Sequence, residues 1–355
     1  MKTSRLVLCS IALGLAALLT GCATTPAAKT SAIFFPPPPD EPRIQYLTSF
    51  GSENELGGAG KFSDFVLGTD KVHRPIWKPY GITTAKGFIY ICDTQPANIV
   101  EADLVKKRIS YIRPGGREAM QVPINIAADA QGNRYVTDTK RGQVMVFDAD
   151  DQLIDTIGKM GEMKPCGIAL TAERLYIGDL SNRNVRVYKT ATRELLFTIP
   201  RHSTNQHADI KAPTNLAVDK DGNLYVSDTG GFDVKVFDRD GKFIRLVGEM
   251  GLNAGRFALP KGIAVDREKR LYVVDAATAV VQMFDDQGRL LMFFGEPKSS
   301  GPAGLYLPAA ITVDYENVEY FQRFVAPGHT LEYLILVTNQ AGPNKVSVYG
   351  FVRKG

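Results

Sequence analysis

Residues 213–229 read Pro213-Thr-Asn-Leu-Ala-Val-Asp219-Lys-Asp-Gly222-Asn-Leu-Tyr-Val-Ser-Asp228-Thr229, and the chain continues Val234-Lys-Val-Phe-Asp238-Arg-Asp-Gly241-Lys-Phe-Ile-Arg-Leu-Val247-Gly248. Short apolar runs alternate with polar positions at a period of two, which is the pattern of strands and not of helices. Between them stand Asp219-Lys-Asp-Gly222 and Asp238-Arg-Asp-Gly241, whose glycines supply the backbone angles that tight hairpins need. The stretch therefore reads as four short antiparallel strands.

The same pattern recurs along the chain. Its opening prolines are Pro79, Pro123, Pro165, Pro213, Pro260 and Pro308, at intervals of 44, 42, 48, 47 and 48 residues. A single four-stranded sheet cannot cover both of its faces, whereas six packed radially do so and leave only short edges. The spacing predicts an all-β chain, a six-bladed β-propeller of four-stranded antiparallel blades. A ring must also close. The last unit offers Ile311-Thr-Val, Leu334-Ile-Leu-Val and Val346-Ser-Val-Tyr but no fourth strand, while Arg43-Ile-Gln-Tyr-Leu-Thr-Ser-Phe-Gly51 has the pattern of an outer strand. The N-terminal strand is thus expected to complete the C-terminal blade.

Gly251-Leu-Asn-Ala-Gly-Arg-Phe-Ala-Leu-Pro-Lys-Gly-Ile-Ala-Val-Asp266, followed by Leu271-Tyr-Val-Val-Asp275, resembles the NHL repeat. The resemblance covers nearly everything from Arg43 onward. The sixth unit departs from it by an inserted stretch from Tyr315 to Glu332. Some propellers similar to this family are lyases that hold zinc in the channel with histidines from different blades, and lactonase-type propellers hold calcium with Glu, Asn and Asp. Here His73, His202, His207 and His329 fall outside the channel strands and the ends of the second strands. Asn125 and Asn215 lack a partnering Glu. Neither metal set carries over, and no metal or other cofactor is expected.

The N-terminus places Lys2 and Arg5 ahead of an apolar run from Leu6 to Leu19, an export signal too short to span a membrane comfortably. It ends in Leu19-Thr20-Gly21-Cys22, which resembles the bacterial lipobox and predicts cleavage before a lipidated Cys22. Residues 1–21 are then a lipoprotein signal peptide, residues 22–42 a Pro-rich flexible tether, and residues 43–355 the propeller. Pro36-Pro37-Pro38-Pro39 favours extended polyproline II. Ala23, where an Asp would mark inner-membrane retention, favours the outer membrane of a Gram-negative cell envelope.

Composition excludes several classes of function. The chain carries 42 Lys+Arg against 38 Asp+Glu, a net charge of +4, and loses Lys2 and Arg5 with the signal. A surface so near neutral exerts no strong pull on nucleic acid. No Gly-rich phosphate loop leads a strand into a helix and no Gly-x-Ser-x-Gly occurs. Of four cysteines, Cys9 lies in the signal and Cys22 takes the lipid; Cys92 and Cys166 fall on non-adjacent repeats, which argues against a disulfide.

In a propeller the first strand of each blade lines the channel, and the loops entering it share a face with the loops after the second strand. That face is the candidate binding surface, with Tyr80, Asn125, Asn215 and Lys261 beside the channel and Lys140, Arg141 and Arg183 around it. It is mildly basic, and the loops His202–Lys211 and Tyr315–Glu332 are expected to enlarge it. Asp93, Asp138, Asp179, Asp228 and Asp275 recur at the ends of second strands, where a repeated Asp is better read as a cap on backbone N–H groups than as a catalytic acid. The reading is a lipid-anchored binding or scaffold module that docks a protein or an anionic envelope polymer. The alternative is a metal-dependent lyase or hydrolase with its ion in the channel.

Overall fold

The computed structural model describes residues 32–56, 74–201, 205–297 and 301–355. Cys22, the whole signal segment, His73 and His202 lie outside them. Among the described residues no helix is long and apolar enough to cross a membrane.

Blade one consists of Pro79–Ala85, Phe88–Asp93, Asn98–Asp103 and Arg108–Ile112, each strand antiparallel to the next. Blades two to five begin at Pro123, Pro165, Pro213 and Pro260 and repeat this four-stranded order. The six first strands neighbour one another in a closed cycle, the Pro308–Asp314 strand touching both Pro260–Val265 and Pro79–Ala85. The chain is a six-bladed β-propeller.

Closure follows the sequence expectation and extends it. Ile44–Phe50 pairs antiparallel with Val346–Lys354, with Phe50 opposite Val346 and Ile44 opposite Phe351. Beyond it Ile33–Phe35 pairs with Ile44–Tyr46, so the last blade has five strands and the sheet begins at Ile33 rather than at Arg43. The Pro-rich run that reads as tether serves in part as the turn between these two strands, closed by Arg43 N–H donating to the Phe35 carbonyl at 3.0 Å. Prolines cannot donate to a ladder, and the strand stops at Phe35. The Phe35 ring lies 6.3 Å from both Phe294 and Tyr349, tying the extra strand to blade five as well.

Tyr315–Glu332 takes the other end of the channel from the one expected. It joins the first strand of blade six, ending at Asp314, to the second, starting at His329, so it lies with the turns opposite the inner-strand prolines. Its groups are engaged there. Asn317 accepts from Gly87 N–H at 2.7 Å and donates to the Ala85 carbonyl at 3.0 Å, bridging to blade one. Gln45 of the closing strand donates to the Phe324 carbonyl and accepts from Ala326 N–H, while Phe321 is buried in the core between blades six and one. The insertion braces the seam of the ring.

Candidate functional site

The recurring aspartates are all fully buried, and each carboxylate is taken up by backbone. Asp93 accepts from Trp77 and Lys78 N–H at 2.6 and 2.8 Å, and Asp138 from Gln121 and Val122 at 2.6 and 3.1 Å. Asp228 accepts from Ala212 and Lys211 N–H, and Asp275 from Ala258 and Leu259. Asp179 accepts from Lys164 N–H and from the Arg186 side chain. These N–H groups belong to the residues just before each inner-strand proline. Every Asp thus pins the loop that enters its own blade, and none is free for acid–base chemistry. Blade six places Asn339 opposite Pro308, where it accepts from Tyr306 N–H at 3.0 Å. An amide performs the same capping without the charge, which is why an acid-based repeat pattern misses it.

At the mouth of the channel the inner strands approach one another closely. A Cβ on Gly81 would stand 2.5 Å from Asn125 Cα, and one on Gly262 2.5 Å from Ala310 Cα. The Asn125 amide crosses this ring, donating to the Cys166 carbonyl at 3.1 Å, the Thr214 carbonyl at 3.3 Å and Asn215 Oδ1 at 3.3 Å. Asn125 and Asn215 are both buried. Lys261 Nζ stands over the Tyr80 ring, 5.4 Å from its centre, in a cation–π contact. Burial raises the Tyr80 hydroxyl pKa, with the Cys166 thiol adding to the rise and the nearby Asn215 amide opposing it. Burial pushes the Cys166 thiol up to about 12, against the pull of Lys164 and Lys261, so it is an inert thiol at neutral pH. Cys92 is likewise buried and free, with its pKa raised, and no disulfide joins the two.

The sequence-predicted face is therefore split in role. Tyr80, Asn125, Asn215 and Lys261 lie next to one another beside the channel. Lys140 and Arg183 are exposed on the turns after the second strands. Arg141 is not available in the same way, because its guanidinium donates to the Arg117 and Ala119 carbonyls at 2.9 Å and to Gln143 Oε1 at 3.3 Å. Of the loop His202–Lys211, the described part buries Ala208 and Ile210 in the core between blades three and four. What charge counting missed is apolar. Trp77, Met160, Met250, Leu252 and Leu307, on the connectors that run into the inner strands, are between 44% and 77% exposed.

Among the described residues no three of His, Cys, Asp and Glu are grouped so as to hold a metal ion. The His329 ring packs against Phe34 at 4.8 Å, tilted by 32°, at the start of the second strand of blade six. The opposite mouth holds a cavity of about 710 Å³ lined by the inner-strand turns of blades one, two, five and six, including Lys86, Asp129, Arg267 and Tyr315.

A family model described as a 6-bladed beta-propeller matches residues 201–292. No curated protein matches the sequence. Among solved structures the chain is similar to a structural genomics protein of unknown function from Bacteroides thetaiotaomicron, with TM-score 0.60 and 18% identity over 88% of this chain and 76% of that one. It is also similar to XC5397 from Xanthomonas campestris, described as a gluconolactonase, with TM-score 0.56 and 16% identity over 91% and 97% of the two chains. A streptogramin B lyase gives TM-score 0.53 and 14% identity over 77% and 82%. Identities this low establish a shared fold and nothing about chemistry.

Proposed function

We propose that the chain is an envelope lipoprotein, held to the membrane through Cys22, whose propeller docks a protein on the loop face around the channel mouth. The NHL-like repeat and the Leu19-Thr20-Gly21-Cys22 pattern support the tethered propeller. One observation favours a protein over an envelope polymer as the docked partner: Trp77, Met160, Met250, Leu252 and Leu307 are exposed on connectors of a single face. Exposed aromatic and methionine side chains beside scattered cations such as Lys140 and Arg183 are the composition of a protein interface. The enzyme alternative lacks a ligand set among the described residues, and the five buried carboxylates are committed to backbone.

The test is crosslinking in intact envelopes followed by identification of the adduct. Trp77→Ser with Met250→Ser, and separately Lys140→Glu with Arg183→Glu, are expected to abolish an adduct that survives Lys86→Glu on the opposite mouth. Adducts unchanged in both face variants overturn the docking reading. Cys22→Ser is expected to move the protein from the membrane to the soluble fraction, and continued membrane recovery overturns the anchor.

A further inference from the structure

The outer strand of every blade has an edge that another chain could extend, and proteins blunt such edges with charges, prolines or a covering segment. Five blades do so here. In blade one Glu53 Oε2 takes the Ile109 N–H at 2.8 Å, and in blade two Asp155 Oδ1 takes the Thr156 N–H at 2.7 Å. In blade three the guanidiniums of Arg174 and Arg201 lie over the Phe197 ring, and Pro200 follows the strand. Blade four carries Arg245 in its outer strand, and Ile33–Phe35 covers blade six. Blade five differs. Its outer strand, Leu290–Phe294, reads Leu-Leu-Met-Phe-Phe and holds no polar side chain. It ends its sheet, with Leu291 and Phe293 49% and 54% exposed. Phe293 stands one residue before the strand's end, where blades two and three have Thr156 and Thr198. A cavity of about 750 Å³ lined by Met283, Leu291, Met292 and Phe351 opens beside the strand, so blade six does not fill the space against it.

We propose that this strand is the seam of a two-fold dimer, in which it pairs antiparallel with the same strand of a second copy. Met292–Phe294 runs in unbroken register with Val281–Met283, up to the shift that follows at the Leu290 end. A two-fold axis at Phe293 sets Phe293 opposite its copy and Met292 opposite Phe294. Two-fold pairing brings each group against its own equivalents, so a charge near the axis meets a like charge. Among the uncovered outer strands only this one meets the condition, since Asp155 and Arg245 would enter such a seam on blades two and four and the Phe197 ring carries two arginines on blade three. The strand is therefore its own complement, which selects a second copy over a foreign strand. Addition of a three-residue strand beside a register shift is already realised in this molecule: Ile33–Phe35 pairs with Ile44–Tyr46, next to the shift between Tyr46 and Thr48. The seam uses the outer edge of blade five and not the exposed connectors, so it stands or falls separately from the docking face.

Oxidation of the full chain carrying Phe293→Cys, in intact envelopes, tests the assignment. Directly opposed residues of antiparallel strands have Cα atoms about 4.5–5.5 Å apart, within reach of a disulfide. A disulfide-linked species of twice the chain mass is expected. The parent chain, whose Cys92 and Cys166 are buried, and Ile244→Cys, at a 45% exposed position on the outer strand of blade four, are expected to give none. Adding Leu291→Lys to Phe293→Cys puts an ammonium from each copy into the seam and is expected to lower the linked fraction at least about ten-fold. An unchanged melting temperature in that variant separates lost pairing from lost folding. No homodimer from Phe293→Cys, an equal yield from Ile244→Cys, a yield indifferent to Leu291→Lys, or adducts of Phe293→Cys with other proteins alone each overturns the proposal.

Discussion

Lys235 Nζ donates to Asp228 Oδ2 at 2.7 Å, and the two side chains are only 4% and 0% exposed. The same carboxylate accepts the Lys211 and Ala212 N–H groups, so one residue both pins the loop into blade four and neutralises a buried ammonium. Lys235 Nζ also donates to Asp233 Oδ1 at 2.6 Å, so loss of Asp228 leaves the ammonium one carboxylate but strips the loop of its acceptor. Asp228→Ala is expected to cost about 1–3 kcal/mol in urea unfolding, for the buried donors left unpaired. Lys235→Met costs less, because Asp228 keeps its backbone donors. Equal losses in the two variants would show that the backbone bonds contribute little.

The fifth strand of the closing blade carries a boundary prediction. A chain starting at Arg43 loses Ile33–Phe35 and with it the Phe35 contacts to Phe294 and Tyr349. That ring packs against both blade six and blade five, so its removal loosens the contact between them. The expected loss is about 1–3 kcal/mol for the apolar area returned to water, read as a lower denaturation midpoint than a chain starting at Ala32. Identical midpoints would return Ile33–Phe35 to the tether.

Blade number and strand order were legible in the sequence because the signals that encode them are local. Pro213 and its equivalents mark each first strand, Asp228 and its equivalents each second strand's end, and Gly222 and Gly241 the hairpins. The closing strand was legible by elimination, since the last unit has one strand too few. The fifth strand was not, because Ile33-Phe34-Phe35 is three residues long beside a Pro run that dominates composition. The destination of Tyr315–Glu332 follows from its place between the first and second strands of the last unit, and only its partners there, Gly87 and Gln45, are distant in sequence. In the site, Tyr80, Asn125, Asn215 and Lys261 follow from repeat position alone. Arg141 was misread because a charge count cannot tell a free guanidinium from one donating to carbonyls 22 and 24 residues away in sequence.

Close approach of the inner strands makes the channel intolerant of added volume. An Ala Cβ at position 262 would fall 2.5 Å from Ala310 Cα and 2.8 Å from Ile311 N, both backbone atoms that cannot swing aside. Gly262→Ala is expected to destabilise by about 1–3 kcal/mol through forced separation of blades five and six. Gly116→Ala meets no atom within 4 Å but has φ of 61°, so its cost is backbone strain alone. Comparing the two by thermal unfolding separates packing from conformation; a neutral Gly262→Ala would mean that the ring can widen.

Lys261 gives the molecule a pH dependence with a definite sign. Burial lowers its pKa in the folded chain below the ordinary lysine value, so on raising the pH the folded state releases this proton before the unfolded state does. Over that interval the unfolded chain binds more protons, and stability contributed by this group rises with pH. Where the lysine is charged in both states, its desolvation opposes folding. Lys261→Met removes the opposition, and the variant is expected to be at least as stable as the parent at pH 7, with its advantage shrinking as the pH approaches about 10. Other titrating groups are common to both chains and cancel in the difference. Urea unfolding of the pair at the two pH values decides the matter: a difference that stays constant, or grows with pH, would mean that the Lys261 ammonium is as well solvated in the channel as in the unfolded chain.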